Sequence, residues 1–205
     1  MTRSVMLVHG GLYEGMDAER FWTRPGVLGG LAGRGLAVTA PNRVSTPESW
    51  TEEASHLNAL VGDRGPLDVV AGSNGCSVAV RVAVDFPELV ASLVLCWPAT
   101  NSTEANRLME PAISRSNPAA VDALLAGGTL RGCREDELEA IGVPVAIVRS
   151  LPQNVLHTAE TIDSLLSAID GAVVIAECPE SPRPDFEPHL STFVDVVGDW
   201  VEQRD

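Results

Sequence analysis

Six short apolar runs recur along the chain: VMLV at 5–8, LAVTA at 36–40, LDVVA at 67–71, SLVLCW at 92–97, VPVAIV at 143–148 and AVVIAE at 172–177. They are rich in Val and Leu and do not alternate strictly with polar residues, the pattern of strands buried on both faces. Helical patterns fill most of the intervals. Ser49-x-x-Glu52 reads as a capping box opening a helix that carries Ala54, Leu57 and Leu60, and Pro87 closes a helix over about 75–86. A further helix is expected over 158–169 and a last one over 190–201. Strand and helix in alternation predict an α/β fold, with a mainly parallel six-stranded sheet covered by helices on both faces.

The interval 98–142 breaks this rhythm. It is rich in Ala, Asn, Pro and Gly and has room for short helices at about 103–115, 118–126 and 134–140. An insertion at the carboxyl end of a strand stands over the edge where ligands of open α/β sheets bind, so it reads as a small helical lid. An elongated crossover is the other reading. Both place it inside a single domain spanning 1–205, a length that suits one core.

Composition narrows the chemistry. All 14 basic residues are Arg, against 28 Asp and Glu, for a net charge of −14. Such a surface repels nucleic acid and anionic membranes, so neither is an expected partner. The absence of Lys excludes a P-loop, a pyridoxal-phosphate site and Schiff-base chemistry, all of which need that amine. Cys76, Cys96, Cys133 and Cys178 form no Cys-x-x-Cys pair, so neither a metal site nor a disulfide framework is indicated. The apolar run at 5–8 is too short for a signal peptide, and no stretch approaches the ~20 apolar residues of a membrane span. A soluble, cytoplasmic protein with reduced thiols is expected.

One run carries a chemical signature. In LDVVAGSNGCSVAVRVA (67–83) a buried strand meets Gly72-Ser73-Asn74-Gly75 and then a helix of small residues. A serine at such a turn is strained and its hydroxyl is lifted off the sheet, and small neighbours let strand and helix approach. Ala71 stands where the first Gly of this motif is usual. The N–H of Asn74, at the helix start, points where an oxyanion would form. Upstream, the first strand runs into His9-Gly10-Gly11, and the N–H of Gly11 would supply a second donor. Cys76, in the first turn of the elbow helix, would be acidified if exposed and is otherwise a packing residue.

With both turns in hand, the chain resembles the α/β-hydrolase superfamily: VMLVHGG as the oxyanion strand, LAVTAPNR as the next, VVAGSNG as the nucleophile elbow, FPELVASLVLCWPA beyond it, and IGVPVAIV after the lid. The resemblance runs from Val5 to about Trp200. It implies strand order 2-1-3-4-5-6, no N-terminal hairpin, and a short helical lid after the fourth strand. It also implies Ser73 as nucleophile, Gly11 and Asn74 as the oxyanion hole, a small-molecule substrate, and chemistry without metal or cofactor. A doubly wound nucleotide binder is the competitor, but Gly72-x-x-Gly75 lacks the three-glycine spacing and the next strand ends in Cys96 and Trp97, not in an acid.

The catalytic partners depart from the superfamily pattern, in which serine, acid and histidine follow in that order. The loop 149–157, where the acid belongs, holds no carboxylate, and Gln153 takes its place. After the last strand, Arg183 stands in register for the histidine, and an arginine cannot accept the serine's proton. His189, six residues on, is the expected general base. His157 is the alternative, as base or substrate ligand. Glu104, Glu180 and Asp185 are the candidate acids, each also readable as a solvated carboxylate. His9 reads as a brace of its loop and His56 as a surface residue.

Three functions remain open. The first is a serine-dependent hydrolase or acyl-transfer enzyme acting on an ester, thioester or related carbonyl of a small, largely apolar molecule. The second is a non-hydrolytic lyase, cyclase or isomerase on the same fold, and the third a non-catalytic small-ligand-binding protein. Trp22, Trp97, Leu108, Met109, Leu124 and Leu125 suggest an apolar pocket, or equally a packed core. With only Arg43, Arg149 and Arg183 near the expected mouth, a highly anionic substrate is disfavoured.

Overall fold

Six parallel strands form one sheet in the order β2-β1-β3-β4-β5-β6, as expected. The computed structural model describes residues 2–13, 15–62 and 64–203, so positions 1, 204 and 205 of the 1–205 domain lie outside the described residues. β1 (Ser4–Val8) leads through a π-helical turn, Glu19–Thr23, into α1 (Val27–Gly33) and β2 (Ala37–Thr39). α2 (Trp50–Val61), β3 (Leu67–Gly72), α3 (Gly75–Asp85) and β4 (Val90–Cys96) follow. The interval after β4 holds α4 (Thr103–Ser116), α5 (Val121–Leu125) and α6 (Glu135–Glu139). β5 (Val145–Ser150), α7 (Ala159–Ala168), β6 (Val173–Cys178), a 3₁₀ turn at Pro184–His189 and α8 (Leu190–Glu202) complete the chain. Every apolar run became a strand.

Side-chain alternation within the strands sorts the core into two layers. Val5, Leu7, Val70, Val94, Ala146 and Val148 face the π-helical turn, α1 and α8, where Phe21, Trp22, Leu31, Phe193 and Val197 close over them. Met6, Val8, Val69, Leu93, Leu95 and Ile147 face α2, α3 and α7 through Ala54, Leu57, Val78, Val82, Ile162 and Leu165. The four central strands, β1, β3, β4 and β5, lack strict polar alternation because both of their faces are buried, whereas the edge strands β2 and β6, expected to be buried as well, are largely half-buried to exposed.

Two local expectations need correction. Leu60 is exposed on α2 and Val61 is buried in its stead, because Ala54, Leu57 and Val61 form the i, i+3, i+7 stripe and Leu60 falls on its flank. At the helix start Ser49 Oγ accepts from Glu52 N–H at 3.1 Å, but the Glu52 carboxylate turns to the N–H of Glu48 at 2.6 Å and not to that of Ser49.

The 98–142 segment carries its short helices where expected. Met109, Ile113, Leu124, Leu130, Cys133 and Leu138 join the core layer of α2 and α3, and Trp50 Nε1 donates to the carbonyl of Leu124 at 3.1 Å. Apolar burial thus fixes the segment to one face of the sheet. Met109 and Leu124 are core residues and not pocket walls, Leu125 is packed against that core, Trp22 is buried under α8, and Leu108 is exposed. All four cysteines are free and buried, and burial pushes the Cys76 thiol far up, so Cys76 packs. Among the described residues no helix is long and apolar enough to cross a membrane.

Candidate active site

The site forms where the loops leaving the carboxyl ends of β1, β3, β5 and β6 meet. Ser73 stands between β3 and α3 with φ +52°, a left-handed conformation uncommon for a residue with a side chain. Two backbone bonds hold it there: its N–H donates to the carbonyl of Cys96, and its carbonyl accepts from Cys76 N–H, both at 2.9 Å. The flanking glycines are sterically required. A Cβ on Gly75 would lie 2.7 Å from the carbonyl oxygens of both Val8 and His9, and one on Gly72 would lie 2.5 Å from the Phe21 ring. Ala71, one residue before the end of β3, is paired with Val8 of β1 and Leu95 of β4.

The opposing loop is braced by charge. Arg43, buried after β2, binds the fully buried Glu53 of α2 through Nη2 (2.5 Å) and Nε (3.1 Å), and its Nη1 donates to the carbonyls of His9 and Gly11 at 2.9 Å each. Its backbone N–H donates to His9 Nε2 at 3.1 Å, which places the imidazole proton on Nδ1, facing the Gly10 carbonyl at 2.8 Å. Burial first, then the Arg43 charge, lowers the His9 pKa to about 4. A neutral brace is therefore its role. Gly11 has φ +81°, open to glycine and costly for other residues.

The imidazole that meets Ser73 is that of His157. Its Nε2 lies 3.0 Å from Ser73 Oγ, and its Nδ1 lies 2.8 Å from Glu180 Oε1 in a contact bent away from the N–H direction. Ser150 Oγ (2.7 Å) and Asn154 Nδ2 (2.8 Å) also donate to that Glu180 oxygen. Burial alone would raise the Glu180 pKa, but the contact with His157 and these two hydrogen bonds outweigh it and hold the pKa down at about 2. The carboxylate is thus preformed and ionised. Paired hydrogen bonds between Asn154 and His157 close the loop that presents the imidazole, and Thr158 Oγ1 caps α7 directly behind it.

His189 does not reach the serine: it is exposed at the end of the 3₁₀ turn, where it is the N-terminal cap position of α8. Gln153 does not stand in for an acid either, because its Oε1 accepts from Ala159 N–H at 3.1 Å and serves α7. Arg183, more than a third exposed, lies 3.8 Å from Glu180 and 3.5 Å from Asp185, so it flanks the acid. Glu104 and Asp185 are exposed. Imidazole and carboxylate have in effect exchanged loops relative to the expected order. β5 and β6 are neighbours in the sheet, so loops leaving their ends lie side by side and either can supply either group. The signal available in the sequence was a histidine after the fifth strand and a carboxylate two residues past the sixth, legible only once the fixed order is set aside.

A narrow cavity of about 10 Å³, room for about one water molecule, adjoins His157, lined among others by Trp97, Pro98, Ser150, Gln153 and Ile162. Beyond it a wide groove of about 1150 Å³ is bordered by polar side chains of Thr100, Ser102, Asn154, Thr158 and Glu160. Among the described residues no group of three or more His, Cys, Asp or Glu side chains is arranged to hold a metal ion.

No family model matches this chain, and no curated protein does. Solved structures match over nearly its whole length. An alpha/beta hydrolase enzyme, MGS-MChE2, from the metagenome of lagoon sediments of Mar Chica, Morocco, has a TM-score of 0.74 at 19% identity, covering 100% of this chain and 93% of that one. A serine hydrolase involved in carbazole degradation, CarC, has a TM-score of 0.75 at 17% identity, with 100% and 92% covered. A thermophilic esterase from Thermogutta terrifontis has a TM-score of 0.68 at 18% identity, with 98% and 90% covered. The likeness is one of fold, and the fold is that of the α/β hydrolases.

Proposed function

We propose that this chain, an α/β-hydrolase fold, is a serine-dependent hydrolase or acyl-transfer enzyme acting on an ester, thioester or related carbonyl of a small, largely apolar molecule. One observation carries the reading: a strained, accessible Ser73 whose Oγ lies 3.0 Å from an imidazole backed by an ionised carboxylate. Nucleophile, base and orienting acid are the three groups acyl transfer needs. The solved structures that share the fold include an esterase and a serine hydrolase, which supports the same class.

In this scheme Ser73 Oγ attacks the carbonyl carbon while its proton passes to His157 Nε2. The carbonyl oxygen becomes an oxyanion held by the N–H groups of Gly11 and Asn74. Glu180 stabilises the imidazolium and keeps the Nδ1 proton facing it. Collapse of the intermediate expels the alcohol or thiol, which takes the proton back from Nε2. Water, or another acyl acceptor, then repeats the sequence on the acyl-serine, giving its proton to His157 and releasing the acid or the transferred acyl product. The residues beside His157 include the apolar Trp97, Pro98 and Ile162, which supports an apolar group on the substrate. The lyase reading drew its weight from Gln153, Arg183 and a doubtful base, and the binding-protein reading from a missing acid; the placement of His157 and Glu180 beside Ser73 supports the hydrolase reading over both.

The test is covalent labelling. A fluorophosphonate should form one phosphonyl ester at Ser73 with loss of fluoride, read as a single mass increment on the intact protein. Wild type and His189→Ala should label alike, Ser73→Ala not at all, and His157→Ala at least about 10³-fold more slowly. A folded wild type that takes no label overturns the proposal.

A further inference from the structure

Arg131 lies in the turn between α5 and α6 and is fully buried. Of the buried arginines, Arg43 is paired with Glu53 and Arg81 with Asp85 and Glu137, whereas among the described residues no carboxylate lies within ion-pair distance of Arg131. Its guanidinium spends its hydrogen bonds on neutral oxygens: Nε on Asn106 Oδ1 (2.9 Å), Nη2 on the Thr100 carbonyl (2.7 Å) and Nη1 on Asn74 Oδ1 (3.1 Å). Burial lowers its pKa only to about 10, so it stays charged at neutral pH. A buried charge with no counter-ion is costly, and proteins usually avoid it or employ it.

The surroundings hold this charge in place. Gly132, at φ +72°, packs so closely on Trp50 that a Cβ would lie 2.2 Å from the indole, and Gly132 N–H donates to the Ala126 carbonyl at 2.7 Å. Gly128 N–H donates to the Cys133 carbonyl at 2.8 Å. Asn106 is itself held by Asn101, whose amide binds the carbonyls of Gly127 and Gly128. All of these contacts except that to Asn74 lie within the 98–142 segment or its anchor on Trp50. In the serine-hydrolase reading, Asn74 supplies one of the two N–H groups that receive the oxyanion.

We propose that Arg131 is a positioning residue of the oxyanion hole: anchored on the Asn74 side chain, it fixes that residue and sets an unneutralised positive charge behind the amide that receives the oxyanion. The proposal rests on the serine-hydrolase reading above. It gives the inserted segment a part in the chemistry besides covering the sheet. A fixed charge in a site dry enough to be poorly screened favours the tetrahedral oxyanion over the neutral carbonyl and so acts on kcat more than on KM.

The experiment compares wild type, Arg131→Met, Arg131→Lys and Asn74→Asp by the second-order rate of fluorophosphonate labelling, by kcat and KM on p-nitrophenyl acetate, and by thermal unfolding. Arg131→Met is expected to label and turn over at least about tenfold more slowly with KM little changed; in Tm, relief of the unpaired buried charge is set against the three acceptors it leaves unsatisfied. Arg131→Lys should recover part of the rate by restoring the charge. Asn74→Asp keeps the shape of the site but neutralises Arg131 in place, so it should fold normally and be slowed as much as Arg131→Met. Should Arg131→Met fail to fold, Asn74→Asp decides the matter. Rates within twofold of wild type in Asn74→Asp or in a folded Arg131→Met, or equal losses in Arg131→Lys and Arg131→Met, overturn the inference while a labelled wild type leaves the serine-hydrolase reading standing. An unlabelled wild type overturns that reading and this inference with it.

Discussion

Glu180 gathers on one oxygen the hydrogen bonds of Ser150 and Asn154 and the close contact with His157 Nδ1, and the other side of that imidazole meets the serine. Replacing the carboxylate by the isosteric amide in Glu180→Gln removes the charge that stabilises the imidazolium and lets the imidazole settle in the wrong tautomer. A loss of about 10²–10⁴-fold in kcat/KM is expected, with the labelling rate falling in parallel. The carboxyl is held down at about 2. Its stabilising contribution is therefore complete above the ordinary glutamate range, falls progressively below about 4.5 and is gone once the pH has passed through about 2. Glu180 stays ionised throughout the range above pH 4.5 and contributes no acid limb to activity there. His189 was the residue chosen from the sequence, and its exposure predicts that His189→Ala leaves labelling within twofold of wild type.

The elbow is where an element's geometry and its chemistry cannot be separated. Ser73 keeps φ +52° only because the turn is held by Cys96 and Cys76. Ser73→Gly should therefore be more stable than Ser73→Ala by about 1 kcal/mol in denaturant unfolding, since glycine adopts that φ freely, although both lose the nucleophile. Gly75→Ala drives a Cβ into two backbone carbonyls that cannot yield. It should cost about 2 kcal/mol or more, and the displaced β1 loop should slow labelling as well. The strands and the elbow were legible in the chain because each is written in contiguous residues. The lining suggested by Leu108, Met109, Leu124 and Leu125 was not, since apolar residues at helical spacing look alike whether they border a cavity or, as Met109 and Leu124 do, fill a core.

Across the whole molecule, the buried network of His9, Arg43 and Glu53 joins β1, the loop after β2 and α2 behind the oxyanion turn. His9 is neutral when folded, with a pKa of about 4, against about 6.5 in an unfolded chain. Between these values the unfolded chain binds the extra proton, so stability falls as the pH drops from 6.5 toward 4, by about 3 kcal/mol for this group. Urea unfolding at pH 7 and pH 4.5 should show that slope in wild type and a shallower one in His9→Gln, whose amide can accept from the same Arg43 N–H. An equal slope in both would mean that His9 is not the group responsible.

Local pattern was enough to specify six strands, their parallel arrangement, the Gly-Gly turn and the serine elbow, because apolar runs and turn residues act on the nearest few positions of the backbone; that β2 and β6 would lie half-exposed at the edges was not legible. The partners of that serine were decided elsewhere. His157 is 84 residues from Ser73, and Glu180 comes from another loop again. The choice among four histidines and several carboxylates rests on which loops leave neighbouring strand ends, and on which side chains the packing of 98–142 and of the 3₁₀ turn at Pro184–His189 turns inward. Arg131 shows the same division: nothing in its neighbours along the chain marks it, and only the folding of an inserted segment onto α3 carries its charge to Asn74.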